Sequence, residues 1–162
     1  MSKNYYDLNH LNSASATLSL LAILNLNHLT MKLKIKSGKT LKQLQKEFQD
    51  EFPLLKIEFF NRPHRNEEAS SKKDLQDTSL TVAEISKKQG EVAISGKTKT
   101  AELEQQFQTE FGLNVQVFRK SGNVWLETST TDHLTLEEQQ EAAKESQEQY
   151  TYRSHNFADE RE

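Results

Sequence analysis

At 162 residues, with 21 Lys+Arg against 24 Asp+Glu and a net charge of -3, the chain suits one self-sufficient core with tails and is not a strongly charged polyelectrolyte. It has no cysteine, which excludes disulfides and thiolate metal sites and fits a reducing, cytoplasmic setting. A hydrophobic fraction of 34% and a mean hydropathy of -0.82 are too polar for a chain that is globular throughout, so disordered ends are expected.

Charge is unevenly spread. Residues 31–120 hold 17 Lys and Arg against 13 Asp and Glu, whereas residues 121–162 hold 3 against 10. A mildly basic body with an acidic end permits a polyanion partner without requiring one. Residues 1–30 contain one apolar run, Leu18 to Leu24, broken by Asn25 and Asn27. The run falls well short of the roughly 20 residues that cross a bilayer. As a leader it lacks a basic start, since Lys3 is offset by Asp7, so no membrane association is expected. Residues 1–30 read as an extension outside the fold, with Met31 as a natural start.

From Met31 the apolar residues alternate, Met31, Leu33 and Ile35 against Lys32, Lys34 and Lys36, which is the period of a half-buried strand. Thr40 to Gln43 has capping-box spacing, and Leu41, Leu44, Phe48 and Phe52 then recur at helical spacing until Pro53. Leu55, Ile57 and Phe59 alternate with Lys56, Glu58 and Phe60 as a second strand. Residues 61–79 are polar and read as a long loop. Thr81 to Glu84 is another capping box, opening a short helix that Gly90 is expected to end.

The pattern then repeats. Ser37-Gly38-Lys39-Thr40 recurs as Ser95-Gly96-Lys97-Thr98, and Leu44, Phe48 and Phe52 match Leu103, Phe107 and Phe111 without a gap. Val92 and Ile94 are the inward residues of the strand before this second helix; Leu113, Val115 and Val117 are those of the strand after it. Ser121-Gly122-Asn123 signals a tight turn, so Val124 to Thr128 should fold back as a hairpin strand. Thr135 to Glu138 caps a last helix expected to fray near Tyr150, leaving residues 151–162 as a disordered tail.

Two β-α-β units in series, 31–60 and 91–119, within one domain over 31–150, suggest an α+β fold of ferredoxin-like, two-layer type with an added hairpin strand and helix. Separate parallel β-α-β sheets are the alternative. Alternation would place Phe60, Phe118 and Trp125 on the sheet face away from the helices, with Lys34, Lys36, Lys56, Asn114 and Gln116. An open aromatic face signifies contact with something. Protein-protein contact or self-association is the first reading. Single-stranded nucleic acid on the same face is the second, although the sequence signature of RNA-recognition modules is missing. In a third, the helix from Thr135 covers the rings as ordinary core.

No catalytic constellation is legible, and no cofactor or metal is expected. The Ser-Gly-Lys-Thr pairs lack the glycine that a phosphate loop places five residues before Gly-Lys; Leu33 and Glu91 stand there. His10, His28, His64, His133 and His155 make no ligand pair; His133 and Glu137 fit a cap contact better than a metal site. The acidic pairs lie on solvated faces, which do not shift a pKa toward catalytic use. The chain is therefore read as a non-enzymatic association module. The runs Ser121 to Thr128 and Thr135 to Glu141 resemble a family of small uncharacterised bacterial proteins. The resemblance extends over Met31 to about Ser146, leaves residues 1–30 outside, and implies a cytoplasmic bacterial origin without an activity.

Overall fold

A computed structural model describes residues 30–62 and 74–159, with side chains to Arg153. The expected extension 1–30, except its last residue, the centre of the 61–79 loop, and His10, His28 and His64 lie outside the described residues. Strand β1 (Met31–Ile35) buries Leu33 and Ile35 and exposes Lys32 and Lys34, as its alternation requires. Helix α1 (Leu41–Glu51) starts at Thr40. The Gln43 amide N–H donates to Thr40 Oγ1 at 3.3 Å, and the Thr40 amide donates to Gln43 Oε1 at 2.9 Å. The α1 stripe buries Leu41, Leu44 and Phe48, and strand β2 (Leu55–Phe60) follows the proline stop.

A short helix α2 (Val82–Ile85), strand β3 (Gly90–Ile94) and helix α3 (Thr100–Gln106) come next. Gly90 does not end α2: Ser86 takes that place in extended conformation, and Gly90 opens β3. The end of α3 widens into a π turn, Phe107–Phe111, before Gly112 at φ 67° stops it. Thr109 Oγ1 donates to the Gln105 carbonyl at 2.9 Å there, a back-bond of the kind that bends helices. Strands β4 (Asn114–Ser121) and β5 (Val124–Glu127), a 3₁₀ turn (Ser129–Thr131) and helix α4 (Leu136–Asp159) complete the chain. Helix α4 runs past Tyr150, where fraying was expected; its Gln, Glu and Lys residues are strong helix formers.

The fold is α+β with two antiparallel sheets, but the pairing is not that of a ferredoxin-like sheet. Strand β1 pairs with β3 antiparallel, and β2, β4 and β5 form a separate antiparallel sheet. In the ferredoxin-like arrangement one sheet would hold all the strands. Here each strand of the first repeat lies beside its counterpart in the second. On the offset that matches Leu44 with Leu103, Leu33 corresponds to Val92, and these two pair directly. On the offset that matches Phe60 with Phe118, Glu58 corresponds to Gln116, and these two also pair. Each ladder thus holds a pair of corresponding residues directly opposite each other. Buried residues of both sheets and of α1, α3 and α4 merge into one core, including Leu33, Phe48, Ile57, Ile94, Phe107, Val117 and Leu136.

The correspondence extends to the helix starts, although the second Ser-Gly-Lys-Thr sits one residue out of register with the first. The Leu41 and Lys42 amides donate to the Leu80 and Thr78 carbonyls, while the Val82 and Ala83 amides donate to those of Lys39 and Ser37. In the second half Thr100 and Ala101 donate to Leu134 and Asp132, and Leu136 and Glu137 donate to Thr98 and Gly96. Two helix starts thus cap each other, twice, at 2.8 to 3.0 Å. These amides are spent on protein carbonyls, which closes the phosphate-loop reading.

The β4–β5 turn carries a steric demand. Gly122 has φ 54°, and a Cβ placed on it would lie 2.7 Å from the Tyr150 ring. Gly122→Ala should therefore cost roughly 1–2 kcal/mol for the left-handed backbone alone, before the clash is counted. Chemical denaturation checks this: the loss should shrink in a Tyr150→Ala background, and an equal loss in both backgrounds would assign it to the backbone only.

Candidate functional site: an aromatic groove on the outer sheet face

Alternation divides the β2–β4–β5 sheet into two faces. Leu55, Ile57, Phe59, Val115 and Val117 point to the core. Lys56, Glu58, Phe60, Asn114, Gln116, Phe118, Lys120, Trp125 and Glu127 share the other side, because Lys56 pairs with Phe118, Lys120 with Trp125 and Phe118 with Glu127. Phe118 and Trp125 are half-buried there. Lys56 Nζ sits 5.2 Å from the centroids of both rings, and Lys120 Nζ lies 5.1 Å from that of Trp125. At these distances an ammonium is held by the ring quadrupoles, for about 0.5–1 kcal/mol when exposed and more when desolvated.

Glu58 fixes the cluster from below. Its carboxylate pairs with Lys56 Nζ at 2.6 Å and accepts from Gln45 Nε2 at 2.7 Å, and that amide also donates to the Ile57 carbonyl at 2.9 Å. Asn123, Val124, Phe60 and Leu75 complete a groove of roughly 460 Å³ around Lys56, Glu58, Phe118 and Trp125. Leu75 enters through an isolated antiparallel bridge to Phe60, with the Gln76 amide donating to the Phe59 carbonyl at 2.8 Å. This extra pairing covers Phe60, which is only 3% exposed, so Phe60 is part of the floor rather than an open anchor.

Two expected members are elsewhere. Lys34 is on β1 and Lys36 just follows it, in the other sheet, because the strands do not join into one; neither lines the groove. Gln116 is on the outer face but buried at 3%. Conversely, Lys120, Leu75 and Val124 were not singled out from sequence. Lys120 was legible, two residues from Phe118 on the same strand. Leu75 stands alone in a polar stretch and carries no periodic signal.

The last helix does not cover the rings. Gln140 Oε1 accepts from the Leu54 amide at 3.3 Å, Gln139 Oε1 from Arg119 at 3.4 Å, and the Gln147 amide donates to the Gly122 carbonyl at 2.8 Å. Leu136 joins the core cluster. Helix α4 thus packs against the inner side and the hairpin end of the sheet.

Carboxylates elsewhere serve structure. Burial pushes the Glu104 carboxyl up to about 8, against the 2.9 Å hydrogen bond it accepts from the Val117 amide; the charges of Asp132 and Glu127 raise it further. Glu104 occupies in α3 the place of Gln45 in α1, and both side chains satisfy a backbone group of a strand in the β2–β4–β5 sheet. Glu84 and Glu138 are held below the ordinary carboxylate range by the amides and hydroxyls of Thr81 and Thr135. Among the described residues no group of three or more His, Cys, Asp or Glu could hold a metal, and no helix is long and apolar enough to cross a membrane. Comparison with protein-family models, with curated proteins and with solved structures gave no match.

Proposed function

We propose that this chain is a non-catalytic association module that docks protein on the outer face of the β2–β4–β5 sheet, and that its two halves derive from one duplicated segment. The observation that carries the reading is the position of Lys56 between Phe118 and Trp125 on a face that no described helix covers. Rings and ammonium already held in place lose little freedom when a partner arrives, which favours binding. Aromatic side chains in a groove are also the usual energetic anchors of protein interfaces. The duplicated origin is supported by the twin sets of helix-capping bonds and by the direct pairing of corresponding residues.

Affinity capture from the native cell extract tests the function. Trp125→Ala and Phe118→Ala should each reduce capture of a protein partner by roughly tenfold or more. Both rings are half-exposed, so the folded state should lose no more than about 1–2 kcal/mol. The nucleic-acid alternative predicts instead retention on single-stranded oligonucleotide that falls steeply with salt. Loss of melting temperature with unchanged capture would reject the docking reading.

A further inference from the structure

Strand β5 is the last in the order β2–β4–β5, and among the described residues no further strand or bridge pairs with its outer edge. The Thr128 amide donates to the Val117 carbonyl at 3.2 Å, one step of the alternation beyond the pairing of Leu126 with Arg119. Hydrogen-bonded pairs alternate along an antiparallel ladder, so Val124 and Leu126 direct their backbone groups to β4, while the Trp125 N–H and C=O point away from it. The side chains are open too. Val124 is 55% exposed and Leu126 41%, and they share one side of the strand, with Trp125 on the other. A bare apolar edge is a template for another strand, which proteins commonly block with lysine, proline or a bulge. Val124 to Glu127 carries none of these.

The strand is complementary to itself. An antiparallel neighbour keeps buried and exposed sides matched only in registers that set like sides opposite each other, and a copy of β5 turned about a two-fold axis at Trp125 meets that condition. Trp125 then stands opposite Trp125 of the second copy as a hydrogen-bonded pair, which takes up the outward N–H and C=O of both chains. Val124 stands opposite Leu126 of the second copy, and Leu126 opposite Val124, in the closer, non-hydrogen-bonded pairs. Both exposed aliphatic side chains thus gain an apolar partner, and Glu127 meets Asn123 rather than another carboxylate. An axis at Leu126 would instead set Val124 against Thr128 and Trp125 against Glu127.

We propose that two copies of the chain join edge to edge through β5, antiparallel and centred on Trp125, to give one six-stranded sheet in the order β2–β4–β5–β5–β4–β2. This goes beyond the docking reading above, because the strand edge and not the outer face makes the contact. The pairing sets the two aromatic faces side by side on one surface. A four-residue strand buries little area, so the dimer is weak and depends on concentration.

Sedimentation equilibrium and disulfide trapping on the full chain decide it. The mass should rise from 18.7 kDa toward twice that value as loading approaches about 1 mM. Leu126→Lys and Val124→Lys each put a charge at an exposed position that enters the contact twice, and each should weaken association by roughly tenfold or more. The chain has no cysteine, so introduced ones report only on each other. A mixture of Val124→Cys and Leu126→Cys chains should oxidise to a covalent dimer, and either variant alone should not, because like residues then stand diagonally, beyond disulfide reach. A mass of 18.7 kDa at every loading overturns the proposal. So does association that both lysine variants leave unchanged, or trapping with no preference for the mixture. A monomer that still captures a different protein in a Trp125-dependent way would remove the edge pairing and leave the docking reading in place; edge pairing without such capture would remove the docking reading alone.

Discussion

Replacing Glu104 by Gln is expected to stabilise the protein, and by an amount that depends on pH. The carboxyl binds its proton more tightly when folded, at about 8, than in the unfolded chain, near 4.5. The wild type therefore loses stability as pH rises from 4.5 toward 8, and the whole penalty persists above that range. Each pKa unit corresponds to about 1.4 kcal/mol, so the upper value of the gain at neutral pH is about 3 kcal/mol. Gln keeps an oxygen for the Val117 amide while removing the charge that Asp132 and Glu127 repel. The first repeat already uses Gln45 at the equivalent place. Denaturation curves of both proteins across this range should converge at acid pH and diverge above it. Parallel curves would show that Glu104 is ionised in the folded state and solvated well enough not to matter.

Phe107→Ala should be the most damaging single truncation. The ring is fully buried where the two repeats meet: it stands edge-on to Phe59 at 6.3 Å between centroids and lies 6.3 Å from Phe111. Phe-to-Ala changes in well-packed cores cost about 3–5 kcal/mol through lost transfer energy and the cavity left behind. That is a large share of the roughly 5–15 kcal/mol that holds a domain folded. The counterpart Phe48, equally buried on α1, should cost a similar amount if the two halves share one cooperative core. Urea titrations of both variants should show single transitions shifted alike. A biphasic curve for either would show halves that unfold separately.

The elements of this fold were legible because their signals are local. Thr40, Thr81 and Thr135 each begin a helix as the capping spacing requires, and the Leu44, Phe48 and Leu103, Phe107 stripes are buried. The turn at Gly122 and the outward side of Phe118 and Trp125 also follow from short-range pattern. Partner choice between strands was not legible. Period two says which side of β1 is buried, not that Leu33 lies against Val92 rather than inside a four-stranded sheet, and Lys34 and Lys36 were misplaced for that reason. Glu104 escaped notice because the group it meets, the Val117 amide on β4, comes from a distant segment. The groove was half legible: alternation gives its rings and Lys56, while Leu75 arrives from a polar connection through one bridge.

Trp125 is the chain's one tryptophan, which makes the outer sheet face directly observable. Hydroxyl-radical footprinting of the tagged protein, in its native cell extract and as dilute pure material, compares how far solvent reaches Trp125 and Phe118 in the two settings. Both rings should be protected in the extract and lose that protection on dilution, with the buried Phe48 and Phe107 unchanged in the two settings. Equal labelling of Trp125 and Phe118 in both settings would contradict it, since a face that meets nothing where the protein works is not an association surface.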